Sequence, residues 1–438
     1  MPSEARACAQ VVLRRTFEQG AFTDRAFHVA AGGLDPRDRA LAMRLAYGAV
    51  QRRATLDHLI EHLAERPINR LDPPLRATLR LGVYELLWLG SAPHAVVHDA
   101  VELAKSSRGH GLANAVLRRA AREGPTLLAG LEDSTPAQAA IRHSMPVWIV
   151  ELWWAALGAE GARALLARCN EPAEHSLRAN TLVVDDAAAL AAALPVATRV
   201  PGDPPEAVVA LERFDAHGSD LWRAGAFMPQ SRAAMLVAHA VDPKPGERVL
   251  DLCAAPGGKT THLAALMEGG GEVVAVERHA GRARSLRRTA ARMGAANVTV
   301  EVADAGRPPA PSTGRTGFDR VLLDPPCSGL GTLQSRPDLR WRVTPESVGE
   351  LAGTQARLLS AAAGALAPGG TLVYSTCTIS PAENERQIDL FLDGHADFAV
   401  TDLRRRFPAW TAAGPHLLAL PSVQGSDGFF VGALRREG

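Results

Sequence analysis

Two cysteines and one aspartate carry the sharpest chemical signal in this 438-residue sequence: Asp324 and Cys327 in Asp-Pro-Pro-Cys-Ser, and Cys377 in Tyr-Ser-Thr-Cys. Each motif closes a run that reads as a buried strand, DRVLLD over 319–324 and TLVYSTC over 371–377, which places both thiols at the carboxyl end of one sheet. A thiolate adds readily to an electron-poor carbon and can leave again. Methylation of carbon 5 of a cytosine needs that sequence of events: attack on carbon 6 makes carbon 5 enamine-like, and after the methyl arrives a base removes the carbon-5 proton so that the thiolate departs. Cys377 suits the attack, with Cys327 and Asp324 as the second thiol and the acid. A single free cysteine reads as a small core residue. Two, each just past a strand end, point to catalysis.

The stretch DLCAAPGGKTTHLAALM runs from a strand through a Gly-rich turn, Cys253, Ala254, Ala255, Pro256, Gly257, Gly258 and Lys259, into a helix, so backbone N–H groups at the helix start face whatever lies over the sheet edge. It is not a phosphate-binding P-loop, because Cys253 stands where that motif requires its first glycine, and no G-x-G-x-x-G is present. Acidic residues end the neighbouring strands: Glu277, placed where a carboxylate receives two ribose hydroxyls, then Asp304 and Asp324. Singly, each acid could cap a helix or turn. In succession they point to a nucleoside-type cofactor beyond the carboxyl ends of a parallel sheet. Cys253 reads as structural within the loop, and Cys8 and Cys169 as packing residues.

The elements that must hold these groups follow from periodicity. Residues 4 to about 124 repeat apolar side chains at three and four spacings, as in LRATLRLGVYELLWLG with Leu75, Leu79, Val83, Leu86 and Leu87 on one face, and predict an all-helical domain broken at Gly32-Gly33, Asp35-Pro36, Asp72-Pro73 and Ala92-Pro93. Residues 130 to 235 predict a small mixed α/β domain, with a helix in MPVWIVELWWAALG and a strand in SLRANTLVV. From about 240, β-rich runs at 248–253, 271–277, 298–304, 319–324, 371–377 and 428–434 alternate with helices opening near Thr260, Gly281, Thr344 and Pro381, which predicts a parallel sheet covered on both faces. The stretch APSTGRTG near 310 reads as a surface loop. The expected division is therefore a helical domain over 1–125, a connecting α/β region over 130–235 and a Rossmann-like domain over 236–438.

Composition excludes little more. No apolar run approaches the ~18 residues that cross a bilayer, and the N-terminus interleaves Glu4, Arg6, Arg14 and Arg15 with apolar residues, as an amphipathic helix does and a secretion signal does not. Five dispersed cysteines without a Cys-x-x-Cys pair predict free thiols in a reducing cytoplasm and no metal site. Residues 1 to 130 hold 18 Lys and Arg against 13 Asp and Glu, an excess that suits nucleic acid or a solvated helical face alike. The ratio of 45 arginines to three lysines follows codon composition more readily than function.

On these residues the chain resembles the RsmB (Sun) family, bacterial methyltransferases that form 5-methylcytosine in 16S ribosomal RNA. CAAPGGKT, LDPPCSGLGTLQSRPDLRW, PGGTLVYSTCTISPAENE and DGFFVGAL match the motifs of the wider RNA 5-methylcytosine methyltransferase group. The front, from ARACAQVVL through LRLGVYELL, AVVHDAVELAK and ANAVLRR, is similar to the NusB-type RNA-binding domain, and HSMPVWIVELW and LRANTL match the connecting region. The resemblance implies an all-α NusB-like domain, a connecting region and a class I methyltransferase domain, S-adenosylmethionine as cofactor and 16S rRNA, free or partly assembled, as partner of a monomer. It implies that residues 253–259, Glu277, Asp304 and Asp324 hold the cofactor, that Cys377 is the nucleophile, that Cys327 assists proton loss and release, and that Arg178, Asn180, Gln230, Arg336 and Asp338 hold RNA or order the site. Three positions depart from the family pattern: Ser231 in place of Asp, Thr289 in place of Asn, and Glu277 where Asp is commoner. Alternatives remain. An amino-methyltransferase would carry an aromatic residue at position 327, a DNA 5-methylcytosine enzyme would not need Cys377, another RNA such as tRNA could be the substrate, and a NusB-like binder without activity would lack an intact site.

Overall fold

The computed structural model describes residues 3–105, 109–310, 317–411 and 414–438. Most of APSTGRTG, expected as a surface loop, lies outside them. The chain divides into two compact units, Met1–Glu171 with Arg336–Arg342, and Pro172–Ser335 with Val343–Gly438. The stretch 130–235, expected as one connecting region, is thus shared between the two.

The first unit is helical: α1 (Glu4–Glu18), α2 (Thr23–Ala30), α3 (Pro36–Gln51), α4 (Arg53–Ala64), α5 (Pro73–Tyr84), α6 (Pro93–Ala104), α7 (His110–Ala129), α8 (Pro136–Arg142) and α9 (Val147–Arg168). Local chemistry sets the starts. Ser3 accepts from the Arg6 N–H, Asp35 accepts from the N–H groups of Arg37 and Asp38 ahead of Pro36, and Thr135 with Gln138 forms a reciprocal cap. The predicted breaks before Pro36, Pro73 and Pro93 are all helix starts. Leu75, Leu79 and Val83 are buried on one face of α5, in a core shared with Val12, Leu45, Leu56 and Leu117. The predicted helix in MPVWIVELWWAALG is α9, which kinks at Gly158, where φ is +72°.

The second unit holds two sheets. Strands β1 (His175–Ala179), β2 (Thr198–Arg199), β3 (Ala207–Ala210) and β4 (Phe227–Pro229) form a small antiparallel sheet in the order β2-β3-β1-β4, with helices α10 (Ala187–Ala193) and α11 (Asp220–Arg223) between strands. Helix α12 (Arg232–Val241) leads into the large sheet of β5 (Arg248–Leu252), β6 (Glu272–Val276), β7 (Val298–Glu301), β8 (Phe318–Leu323), β9 (Leu366–Thr376), β10 (Phe398–Thr401), β11 (Leu417–Ala419) and β12 (Phe429–Arg436). Helices α13 (Gly258–Leu266), α14 (Ala280–Arg292), α15 (Pro345–Ala365), α16 (Glu385–Gly394) and α17 (Pro421–Gln424) complete it. The order β10-β12-β9-β8-β5-β6-β7 has a parallel centre, while β12 runs antiparallel to β9. All six expected strands are present. Alternation with period two sends Val249, Leu322 and Val373 into one apolar layer and Leu250, Val321 and Leu372 into the other, so both faces are covered.

From β5 the chain winds outward to β6 and β7, then returns to the other side of β5 with β8 and β9. Connections diverge between β5 and β8, and the crevice this leaves at their carboxyl ends is where open α/β sheets bind ligands. Among the described residues no helix is long and apolar enough to cross a membrane.

Candidate active site

The two thiols converge at that crevice. Cys327 Sγ and Cys377 Sγ are 3.3 Å apart, both cysteines are half-buried, and both are free. This separation exceeds a disulfide bond of ~2.05 Å and leaves no room for a ring between the sulfurs. A pyrimidine would therefore have to approach from the open side of the pair. The hydrogen bond to Cys377 is the largest influence on Cys327 and raises its pKa well above the ordinary thiol value, with burial and the charges of Cys377, Glu383 and Asp324 acting in the same direction. Either sulfur can be the donor in this contact, so whichever thiol keeps its proton offers it to the other.

Asp324 lies beside them at the end of β8. Its Oδ2 meets Lys259 Nζ at 2.7 Å, and its Oδ1 accepts from Ser375 Oγ at 2.8 Å. Burial lowers the Lys259 pKa, but the Asp324 charge and hydrogen bond outweigh it, with Cys377 adding to the rise, so the ammonium stays charged. The Lys259 ammonium also lies 4.9 Å from the centre of the Phe429 ring.

The Gly-rich loop has the shape its sequence predicts. Cys253 adopts φ +65°, and Gly257 adopts φ +103°, where a Cβ would lie 2.5 Å from Leu286 Cδ1. Such a conformation favours glycine strongly. Ala254 and Ala255 are largely buried, and helix α13 starts at Gly258. Beneath the loop, Thr260 Oγ1 donates to Asp251 Oδ2 at 2.6 Å, and burial pushes the Asp251 carboxyl up to about 7. Glu277 is buried at the end of β6, its Oε1 accepting from His279 N–H at 2.9 Å, while the exposed Asp304 accepts from Gly306 N–H. A glycine cradle at a helix start, flanked by carboxylates at successive strand ends, fits the sugar hydroxyls and ammonium of a nucleoside bearing an amino-acid tail.

The remaining candidates fall in different places. Arg178 is fully buried and donates to Gln230 Oε1 (2.8 Å), to the Gly258 carbonyl (2.5 Å) and to Thr261 Oγ1 (2.9 Å). Asn180 is equally buried and donates to the carbonyls of Gly225 and Met293. Arg178 thus braces the end of the cofactor loop, whereas Asn180 ties the small sheet to the end of α14, and both side chains are at 0% exposure. Arg336 and Asp338 belong to the helical unit, where Asp338 accepts from Thr23 N–H at 3.2 Å and Arg336 is exposed. Thr289 turns its hydroxyl back to the Ser285 carbonyl, and Ser231 precedes α12 without a side-chain cap.

One residue escaped the sequence reading. Glu383, within PAENE, is fully buried and ties both cysteine loops together. Its carboxylate accepts from Ser328 N–H (2.8 Å), Ser328 Oγ (2.5 Å) and Gln355 Nε2 (3.1 Å), and Ser328 Oγ lies 2.6 Å from Thr378 Oγ1. Neighbouring Asn384 accepts from Thr376 Oγ1 and donates to the Thr378 carbonyl. The residues on either side of Cys377, and the residue after Cys327, thus share one buried polar network. The only local hint was a cluster of acids after a proline, which equally describes a helix start.

Among the described residues Glu206, His239 and His262 form a second polar cluster, with donor atoms within 4.8 Å of one another. His239 Nε2 and His262 Nε2 both face Glu206 Oε1, at 2.9 and 2.6 Å.

Residues 238–435 match the family model described as 16S rRNA methyltransferase RsmB/F, and residues 3–122 match the NusB family. A probable ribosomal RNA small subunit methyltransferase B of Synechocystis is 37% identical, covering 99% of both chains. The ribosomal RNA small subunit methyltransferase B of Thermus thermophilus is 37% identical over 91% of this chain and 89% of its own. A methyltransferase homologue of Pyrococcus horikoshii superposes with a TM-score of 0.60 at 28% identity, covering 70% of this chain and 100% of its own.

Proposed function

The chain belongs to the family of small-subunit ribosomal RNA methyltransferases B, and from that premise we propose that it methylates carbon 5 of a cytosine in 16S rRNA through a covalent adduct of Cys377 with carbon 6. The observation that carries this reading is the 3.3 Å approach of two reduced thiols beside Asp324 and Lys259. S-adenosylmethionine, held by residues 253–259, Glu277, Asp304 and Asp324, supplies an electrophilic methyl group. Cys377 attacks carbon 6 as the thiolate, aided by the Cys327 hydrogen bond and the positive charge of Lys259. Asp324, fixed by Lys259 and Ser375, faces the base and accepts from its exocyclic amino group, while Lys259 offsets the negative charge that the ring gains on attack. After methylation, Cys327, having released its own proton to solvent, takes the carbon-5 proton as a thiolate; the electron pair of that carbon–hydrogen bond re-forms the C5–C6 double bond, and the carbon–sulfur bond breaks to return Cys377 as a thiolate.

The helical domain over 1–125 and the region over 130–235 engage the RNA, and the enzyme works as a monomer in a reducing cytoplasm. The choice of 16S rRNA over another RNA rests on the NusB-type front together with the names of its relatives. The test pairs two variants. Cys377→Ala is expected to lose methyl transfer by at least ~10³-fold while binding S-adenosylmethionine as before. Cys327→Ala should instead accumulate a covalent enzyme–RNA species that migrates slowly on a denaturing gel. Retained turnover in the first variant, or no adduct in the second, would overturn the two-thiol scheme.

A further inference from the structure

Between residues 278 and 300 the chain carries six arginines, at 278, 282, 284, 287, 288 and 292, and no acidic residue. Helix α14 spans most of this stretch and buries Ala283, Leu286 and Ala290 toward the sheet. That spacing turns Arg284, Arg287 and Arg288 outward, and all three are exposed, as are Arg278 and Arg282. Their partners are mostly uncharged. Arg287 donates to the Val300 carbonyl at 2.9 Å, Arg288 to Ser285 Oγ at 3.0 Å, and Arg278 to the His279 ring. Arg282 alone among these meets a carboxylate, Glu277 at 3.4 Å, and it also donates to the Ala255 carbonyl of the cofactor loop.

The basic front of the chain behaves differently. Arg6 pairs with Glu85 and Asp99, Arg80 with Asp57, Arg76 with Glu18, and Arg119 with Glu65 and Glu123. Part of its charge is thus spent on its own carboxylates, whereas the cations on α14 repel one another. Like charges three and four residues apart cost a helix roughly 0.2–0.5 kcal/mol per pair, and such a field attracts polyanions.

We propose that the outer face of α14, presented by Arg284, Arg287 and Arg288, is a docking surface for the phosphodiester backbone of the substrate RNA. The inference rests on the RNA reading above and adds a location that neither the NusB-type front nor the motif residues supply. Helix α14 starts just beyond Glu277, at the carboxyl edge that carries the two thiols, and runs back along the flank of the sheet. At ~4.8 Å per strand, β6 lies three strand spacings from β9, so the phosphates on α14 belong to nucleotides several positions from the target base.

The test is the full-length triple variant Arg284→Gln, Arg287→Gln, Arg288→Gln, titrated with fluorescein-labelled single-stranded RNA of mixed sequence at several salt concentrations. A matched control removes three exposed arginines elsewhere in the same unit, Arg213→Gln, Arg223→Gln and Arg435→Gln. Losing three phosphate contacts should reduce the slope of log K against log salt by about 2, at ~0.7 per phosphate for a single strand. The control should change it by less than half as much, and both variants should bind S-adenosylmethionine as the parent does. A slope that falls equally in both, or in neither, overturns the docking surface while leaving the RNA reading intact. Failure of the parent chain itself to bind RNA in a salt-dependent way would sink the RNA reading instead. Binding of the parent, but not the triple variant, to phosphatidylserine vesicles, with RNA affinity unaltered, would assign the face to a membrane and also overturn the proposal.

Discussion

The Glu383 carboxylate joins the two loops that carry the sulfurs. Its carboxylate accepts from Ser328 beside Cys327, and Ser328 in turn meets Thr378 beside Cys377, so two loops from different strands share one buried acceptor. Replacing Glu383 by Gln keeps the volume but turns one acceptor into a donor facing donors already in place, a mismatch worth about 1–3 kcal/mol. It also removes one of the charges that raise the Cys327 pKa. The expected result is a kcat reduced by roughly 10-fold to 100-fold, a factor of ten per 1.36 kcal/mol, with cofactor affinity unchanged. The alkaline limb of the rate profile, which follows loss of the Cys327 proton, should also move to lower pH. Lowered stability with an unmoved pH profile would mean that Glu383 only supports the fold.

At the scale of elements, most strand ends were legible because five of the six apolar runs stop at an acid or a cysteine, and the loop at 253–259 because only a glycine-rich turn links that strand to that helix. Gly257 tests the second point. An Ala there must hold a left-handed φ near +103° and displace Leu286, at a cost of about 1–3 kcal/mol. Gly257→Ala should therefore lower the melting temperature by several degrees and weaken S-adenosylmethionine binding at least ~10-fold, taking 1.4 kcal/mol per decade; titration calorimetry with unaltered affinity would contradict the cradle. Other features were not legible, for physical reasons. Strand β9 begins at Leu366, ahead of the expected 371, because Pro368-Gly369-Gly370 reads locally as a turn but is absorbed by a register shift between Phe318 and Arg320 on β8. The roles of Glu383 and Arg178 rest on partners tens of residues away, and no local periodicity encodes those.

For the whole molecule, the match to the NusB family ends at residue 122, whereas the helical unit extends to Glu171 and takes in Arg336–Arg342. Arg340 shows what this extension does. It is fully buried, and it donates to the carbonyls of Gln51 (3.3 Å), Ser144 (3.1 Å) and Cys169 (3.2 Å) and to Asn170 Oδ1 (3.0 Å). Trp341 Nε1 donates to the Val50 carbonyl at 2.7 Å, and Thr55 Oγ1 donates to the Ile141 carbonyl at 2.6 Å. On sequence alone, residues 1–124 look like a removable RNA-binding module whose loss spares cofactor binding. These bonds predict otherwise, because deleting 1–124 strips α8, α9 and the 336–342 segment of the helices they pack on. A chain of residues 125–438 should unfold at a lower temperature, without one sharp calorimetric transition, and associate in solution. In the full chain, Arg340→Leu should cost about 3–5 kcal/mol, read from the urea midpoint at constant slope. A truncated chain that melts as sharply as the parent and binds S-adenosylmethionine equally well would show that the front is separable after all.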